Sequence, residues 1–338
     1  MTGRRHRNWR LAAWISLASL LVSGYFGYRV AEESPWRGAL LGVLSSLAIA
    51  TPIIVFELQG QRLALARRLS RLPLPLYFVA RVVLYVLIIV VGLSAARLVV
   101  DGSAFHFSEI FEGGAFTFSV AMSLLANLAI EIGHLLGFGT LVNLLSGRYS
   151  RPRQEHRAFL LIDMKGSTRL AEQLGPIRFH HLLNDFFRDV ADGALECGAD
   201  IHKYIGDEAI LTWRLRGQAI DSDVLACPFV ISDFIAARQD SYRRYYGIVP
   251  GFRAALHCGE IVTGQIGDVR REIAFVGDTL NVAARLLEAT RETGNDVLVS
   301  ADLLSRASLP AGVVSQVLPT LAVRGREADL AIAALARA

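Results

Sequence analysis

Two acidic residues stand where this chain is otherwise most apolar. Asp163 closes the run Ala158-Phe-Leu-Leu-Ile-Asp163, and Asp207 sits inside His202-Lys203-Tyr-Ile-Gly206-Asp207-Glu208-Ala-Ile-Leu-Thr-Trp213. An unpaired buried carboxylate is costly, so one in such a setting faces a metal, a cation or a turn. Carried on strands lying side by side, the two would make a site for a divalent ion. A turn cap or an ion pair is the other role open to each, most readily to Asp207 beside Gly206. Asn281 and Arg285 follow at a spacing of i, i+4, so one helix face presents both. A guanidinium there is either a solvated surface group or an anion binder. The Gly277-Asp278 turn, which brings the start of that helix near the sheet, favours the second.

The elements that must position these residues follow from periodicity. Phe159–Asp163 reads as a strand, and Ser167 or Thr168 as the cap of a helix running to about Leu174. Ile177 to Cys197 is amphipathic, with Phe179, Leu182, Leu183, Phe186, Phe187, Val190 and Leu195 on its apolar side. Asp200 to Tyr204 and Ala209 to Trp213 read as a hairpin turning at Gly206-Asp207. Ser222 to Tyr245 reads as one helix. Phe252–His257 and Glu260–Ile266 read as two strands about a Cys258-Gly259 turn. Ile273–Val276 is a strand, Thr279 to Thr290 a helix and Asp296–Ser300 a strand, with edge strands from Val313 to Leu335. This order predicts an α+β sandwich, a largely antiparallel sheet with helices on one face.

Before residue 158 the composition is different. Hydrophobic residues make up 53% of the 338-residue chain, mean hydropathy is +0.39, and the excess lies in the first ~150 residues, as for membrane spans. Four apolar segments are expected to cross: Leu11 to Ala31, Gly38 to Phe56, Leu76 to Val99 and Phe116 to Leu145. A signal peptide at the first segment and a buried soluble bundle are the competing readings; the absence of a clear cleavage site and the repeated ~20-residue apolar runs weigh against them. Arginines cluster in Met1 to Arg10, Gln59 to Leu74 and Arg148 to Arg157, whereas Asp101 to Gly114 has none. The positive-inside rule then puts the N-terminus and the region after residue 157 in the cytoplasm, in a multi-pass protein of the inner (plasma) membrane. The net charge of +4 is thus explained by topology, and no zinc-like spacing or aromatic–basic pattern points to nucleic acid. Cys197, Cys227 and Cys258 are far apart, which suits a reducing compartment. In the fourth segment Asn127, Glu131 and His134 share one helical face. They are either helix-packing polar groups or, with His106, a site for an unknown small ligand.

Three stretches, Phe159-Leu-Leu-Ile-Asp163-Met-Lys-Gly-Ser-Thr168, Lys203-Tyr-Ile-Gly-Asp207-Glu and Gly277-Asp278-Thr-Leu-Asn281-Val-Ala-Ala-Arg285, resemble in order and spacing the signature blocks of class III adenylate and guanylate cyclases. The resemblance covers roughly Arg157 to Leu304. It implies a ferredoxin-like catalytic domain at 158–338, joined by a linker at 147–157 to a membrane domain at 1–146. It implies Mg²⁺ or Mn²⁺, two ions per site, on Asp163 and Asp207 with help from the Ile162 carbonyl. It assigns ribose orientation to Asn281, charge on the reacting phosphate to Arg285 and purine selection to Lys203, whose ammonium suits the acceptor N1 of adenine and hence ATP. The position seven before Asn281, Asp or Thr in the family's adenine-specific members, is Ala274; that leaves adenine to Lys203, with backbone carbonyls or Thr279 as possible helpers. The resemblance also implies a head-to-tail homodimer in which the aspartates of one protomer meet Lys203, Asn281 and Arg285 of the other. A guanylate or mixed-specificity cyclase is the alternative prompted by Ala274. A nucleotide-binding module of little activity is a second, and the presence of all four of Asp163, Asp207, Asn281 and Arg285 argues against it.

Overall fold

The computed structural model describes residues 2–31, 34–59, 74–102, 106–111, 114–136, 147–149, 151–215, 217, 219–269, 272–322 and 329–338. They form two compact units, one within Thr2–Leu135 and one within Leu136–Ala338.

The first unit is helical: α1 (Thr2–Val30), α2 (Pro35–Gln59), α3 (Leu74–Asp101), a 3₁₀ turn (Phe107–Ile110) and α4 (Ala115–Leu136). Ser19 and Ser46 share a hydrogen bond of 2.8 Å between α1 and α2. Ile49, Ile89, Leu93 and Ile110 make a small buried cluster. Within the described residues, Pro35–Ile54 and Leu76–Val100 are long and apolar enough to cross a membrane, and Ala115–Leu128 is a shorter apolar stretch. Asn127 is buried, with neither side-chain polar atom hydrogen-bonded. The side chains of Glu131 and His134, expected on the same face, lie outside the described residues, as does most of the basic Gln59–Leu74 loop.

The second unit is built on a sheet of β1 (Arg153–Met164), β2 (Asp200–Ile205), β3 (Glu208–Arg214), β4 (Phe252–Ile266), β5 (Glu272–Val276), β6 (Val297–Ser300), β7 (Val313–Leu321) and β8 (Leu330–Arg337). Its order among the described residues is β2-β3-β1-β4-β6-β8-β7, with β5 added to the far half of β4. Among the strand pairs of the described residues, β4–β6 alone is parallel. The helices are α5 (Ser167–Leu174), α6 (Pro176–Glu196), α7 (Ser222–Ala237), α8 (Gln239–Tyr246), α9 (Asp278–Thr293) and the short α10 (Ala301–Leu304).

Four sequence expectations change here. Helices cover both faces of the sheet. Leu160 and Ile162 of β1 pack against Leu182, Phe186 and Val190 of α6 and Ile231 of α7, while Phe159 and Leu161 pack against Val282, Ala283 and Leu286 of α9. β1 is thus a central strand, whose unbroken apolar run is what a strand buried on both sides requires. Each fully buried Leu, Val or Phe contributes roughly 1.5–3 kcal/mol.

Second, β4 is continuous across Cys258-Gly259, in register with Ala158 and Arg157 of β1. Gly259 serves a close approach instead of a turn: a Cβ there would lie 2.5 Å from Thr279 Oγ1, so the glycine lets the start of α9 sit on the strand. Third, the helix expected over Ser222–Tyr245 breaks at Arg238. The break lets Arg238 donate to the buried Asp189 carboxylate at 2.6 Å and Tyr242 donate to its other oxygen at 2.6 Å.

Fourth, residues 153–157, read as the end of a linker, are the first five of β1, and Glu155 and Arg157 are buried. Arg157 Nε donates to Glu155 Oε2 at 2.9 Å and Arg157 Nη2 to the Tyr149 hydroxyl at 3.0 Å. Thr263 Oγ1 on β4 donates to the same carboxylate at 3.3 Å. The C-terminal strands also differ in detail: β7 is an edge, but β8 lies inside, between β6 and β7.

Candidate active site

Asp163 is the last pair of the β1–β3 ladder, opposite Glu208. It shares the parity of Phe159 and Leu161 and so belongs to the α9 face. Asp207 occupies the two-residue β2–β3 turn with Gly206, whose φ of 60° no β-branched residue would adopt readily. The Asp207 carbonyl accepts from Met164 N at 3.4 Å, which ties the turn to the end of β1. The structure therefore brings the two aspartates together. Burial raises the pKa of Asp163, the Arg291 hydrogen bond opposes that, and the charge of Asp207 adds to the rise. Burial and then the charges of Asp163 and Asp207 push Glu208 up as well.

Three carboxylates sharing one partly closed corner, with Arg291 as the cation on Asp163 at 3.1 Å, carry an excess of negative charge that a divalent ion would relieve. The donors are oxygens only, which suits Mg²⁺ or Mn²⁺. No group of three or more His, Cys, Asp or Glu side chains converges as a metal cage among the described residues, so the fit is to an ion completed by carbonyls, water or substrate oxygens. Ile162 is fully buried and paired with both Ala209 and Ala254. Its backbone is committed to the sheet, and a ligand role would rest on the second lone pair of its carbonyl.

Asn281 and Arg285 are exposed on α9, and Arg285 Nη1 contacts Glu288 at 2.7 Å. Neither meets Asp163. The helix residue that does is Arg291, one that sequence reasoning did not single out.

Lys203 is aimed by a β-bulge. The β2–β3 register shifts between Ile201 and Lys203, so that Ile201 pairs with Leu211 and Lys203 with Ile210. Without the extra residue His202, Lys203 would follow Ile201 toward the α6 side; with it, Lys203 shares the α9 face with Ile210. The outer half of β4 and β5 curl back over that face. Phe275 lands on Phe159 at 5.5 Å and on the bulged His202 at 4.1 Å. Burial, then the neighbouring positive charges of Lys203 and Arg157, bring the His202 pKa down to about 4.

Ala274 lies in β5 opposite Gly264. Thr279, offered as a helper for the base, is not available: its side chain is buried and its hydroxyl donates to the Glu260 carbonyl at 2.7 Å. Glu272, two residues before Ala274 in β5, reaches Lys203 Nζ at 3.3 Å. Strand alternation, which puts residues 272 and 274 on one side, was the signal for it.

Residues 150–329 match a family model described as the adenylate and guanylate cyclase catalytic domain. The chain is 34% identical over 332 residues to "Adenylate cyclase 2" of Rhizobium meliloti (strain 1021), covering 97% of this chain and 92% of that one. It is 23% identical over 183 residues to an adenylate cyclase of Anabaena cylindrica, 51% of this chain and 35% of that one. Among solved structures, that of a bacterial light-regulated adenylyl cyclase shares the fold, with a TM-score of 0.52 at 15% identity over 65% of this chain and 64% of that one.

Proposed function

The chain belongs to the adenylate and guanylate cyclase family and is an adenylate cyclase, and on that premise we propose how its residues make 3′,5′-cyclic AMP and pyrophosphate from ATP. The observation that carries the reading is the corner where Asp163 and Asp207 meet at the end of β1, with Asn281 and Arg285 presented on a separate exposed helix face. The reaction is an in-line displacement at the α-phosphate by the ribose 3′-oxygen, so positioning and charge neutralisation supply most of the rate. Asp163 and Asp207 would hold Mg²⁺ or Mn²⁺, whose chemistry is to acidify the attacking hydroxyl and to neutralise the triphosphate. Arg285 offers several donors to the phosphate on which charge develops. Asn281, one turn earlier, orients the ribose. Lys203 donates to adenine N1.

Two copies of the chain complete each site in this proposal, head to tail about a twofold axis. Support comes from α9. Arg291, which reaches Asp163, lies ten residues after Asn281, or about 15 Å along the helix at 1.5 Å per residue. One protomer's aspartates and its own Asn281 are thus spread over more than one phosphate-sized site. Tyr204 and Ile205 on β2, Val262 and Ile266 on β4 and Val276 on β5 are large apolar side chains left exposed on one copy, and a partner copy would cover some of them.

The first unit anchors the enzyme in the inner membrane in four passes, with the catalytic unit in the cytoplasm. The two span-length helices support this reading: only 17% and 28% of their most apolar windows is buried, and Val83, Leu87, Val91 and Leu98 all face outward. A guanine-accepting cyclase is the second reading, and it rests on Ala274. Purified full chain in detergent with Mn²⁺ and either ATP or GTP separates them. Cyclic AMP from ATP is expected; product from GTP alone, or none, contradicts the proposal.

A further inference from the structure

We propose that Glu272 is a specificity-determining residue, which supplies to the adenine amine the hydrogen-bond acceptor that Ala274 lacks. The inference rests on the adenylate cyclase reading and deepens it.

An adenine site needs a donor for N1 and an acceptor for the exocyclic N6 amine. Lys203 is the donor. The side chain of Ala274 has no acceptor. Glu272 and Ala274 alternate with Ile273 and Phe275, and Phe275 is held inward against Phe159 and His202. Glu272 therefore shares the Ala274 side of β5, about 7 Å along the strand. The His202 bulge and the curl of the β4–β5 arm bring its carboxylate to within 3.3 Å of Lys203 Nζ.

The two side chains are 49% and 52% exposed. An ion pair that open contributes little to stability, so the fold gives no strong reason for an acid here. Recognition does. The ammonium has three donors and the carboxylate two oxygens, and one of each is used in the pair. What remains is a donor beside an acceptor, the complement of the adenine edge. In the same register guanine would set its O6 against the Glu272 carboxylate and its N1–H against the Lys203 ammonium. A site that sets donor against donor and acceptor against acceptor rejects the wrong base more strongly than one that merely misses a contact.

The test compares the detergent-purified full chain with Glu272→Ala and with Glu272→Ala/Ala274→Asp, measuring kcat and KM for ATP and GTP and the melting temperature of each. The expected result is a rise of about tenfold in KM for ATP, as for loss of one hydrogen bond to a charged group, with a fallen ATP-to-GTP preference in Glu272→Ala. Its melting temperature should stay that of the wild type, and Ala274→Asp should restore the preference. A Glu272→Ala protein within twofold of wild type in both KM for ATP and base preference overturns the proposal while wild-type cyclic AMP synthesis leaves the adenylate cyclase reading intact. Lost activity with lowered melting temperature and unchanged preference overturns it too, by making Glu272 structural. A wild type that forms no cyclic AMP overturns the underlying reading and the proposal together.

Discussion

Arg291 Nη2 donates to Asp163 Oδ2 across 3.1 Å, joining the last turns of α9 to the end of β1. This contact fixes which end of the helix faces the aspartates. Arg285 and Asn281 lie progressively farther away, toward the curled β4–β5 arm and Lys203. The groups that the proposal assigns to catalysis are thereby sorted into two sets on one chain, the arrangement that the proposed two-copy site calls for.

The aspartate corner predicts a stabilising ion. The melting temperature of the wild type should climb with Mn²⁺ concentration, because a ligand that binds only the folded state stabilises it by mass action. Asp163→Asn and Asp207→Asn should lose that rise and lower cyclase activity by more than about a hundredfold, the scale of removing one electrostatic contributor. A Mn²⁺-dependent rise preserved in both variants contradicts the assignment.

Gly259→Ala should destabilise the catalytic unit by about 1–3 kcal/mol, the usual cost of forcing an extra methyl into packed space. The new Cβ would meet Thr279 Oγ1 at 2.5 Å and Cγ2 at 3.1 Å. Adding Thr279→Ala removes both atoms and should recover part of the loss. Thermal melts read both effects; a Gly259→Ala protein as stable as the wild type would show that α9 does not sit tightly on β4.

Glu155→Ala should cost about 3–5 kcal/mol, since removing one partner of a buried pair strands the other charge. Arg157 would be left stacked on Phe275 at 4.8 Å without its carboxylate. Glu155→Gln, which keeps an acceptor, should cost less. Equal melting temperatures for all three proteins would mean that solvent reaches the pair.

His202 predicts acid sensitivity. Its folded pKa near 4 lies below the ordinary 6.5, so between those values the unfolded chain binds the extra proton. Stability from this residue is present above pH 6.5 and is lost as the pH falls toward 4. The loss is at most about 3.4 kcal/mol, at 1.36 kcal/mol per pH unit. Unfolding followed from pH 7.5 to 5 should show a slope that His202→Phe flattens; an identical slope in the variant contradicts it.

Much of this was legible in the residues. The motif aspartates, the hairpin between them and the α9 pair Asn281–Arg285 fall where period and turn chemistry put them. What escaped depended on packing. The run Phe159-Leu-Leu-Ile is apolar at every position, the pattern of a strand covered on both faces, but the order of the elements pointed to helices on one face only. Cys258-Gly259 looks like a turn until Thr279 is seen against it. Glu155 and Arg157 read as solvated linker charges because their mutual burial depends on Tyr149 and Thr263. The bulge at His202 leaves no local mark, so the aim of Lys203 was hidden, although strand alternation already put Glu272 on the side of Ala274.

The central claim, a site built from two copies, is tested most directly by co-expressing full-length Asp163→Ala and Arg285→Ala chains in one membrane. Each variant alone should be inactive. The equimolar mixture should regain roughly a quarter of wild-type activity, because half of randomly paired dimers are mixed and each mixed dimer holds one intact site of two. A mixture as inactive as its components, or full activity in either variant alone, would contradict the account.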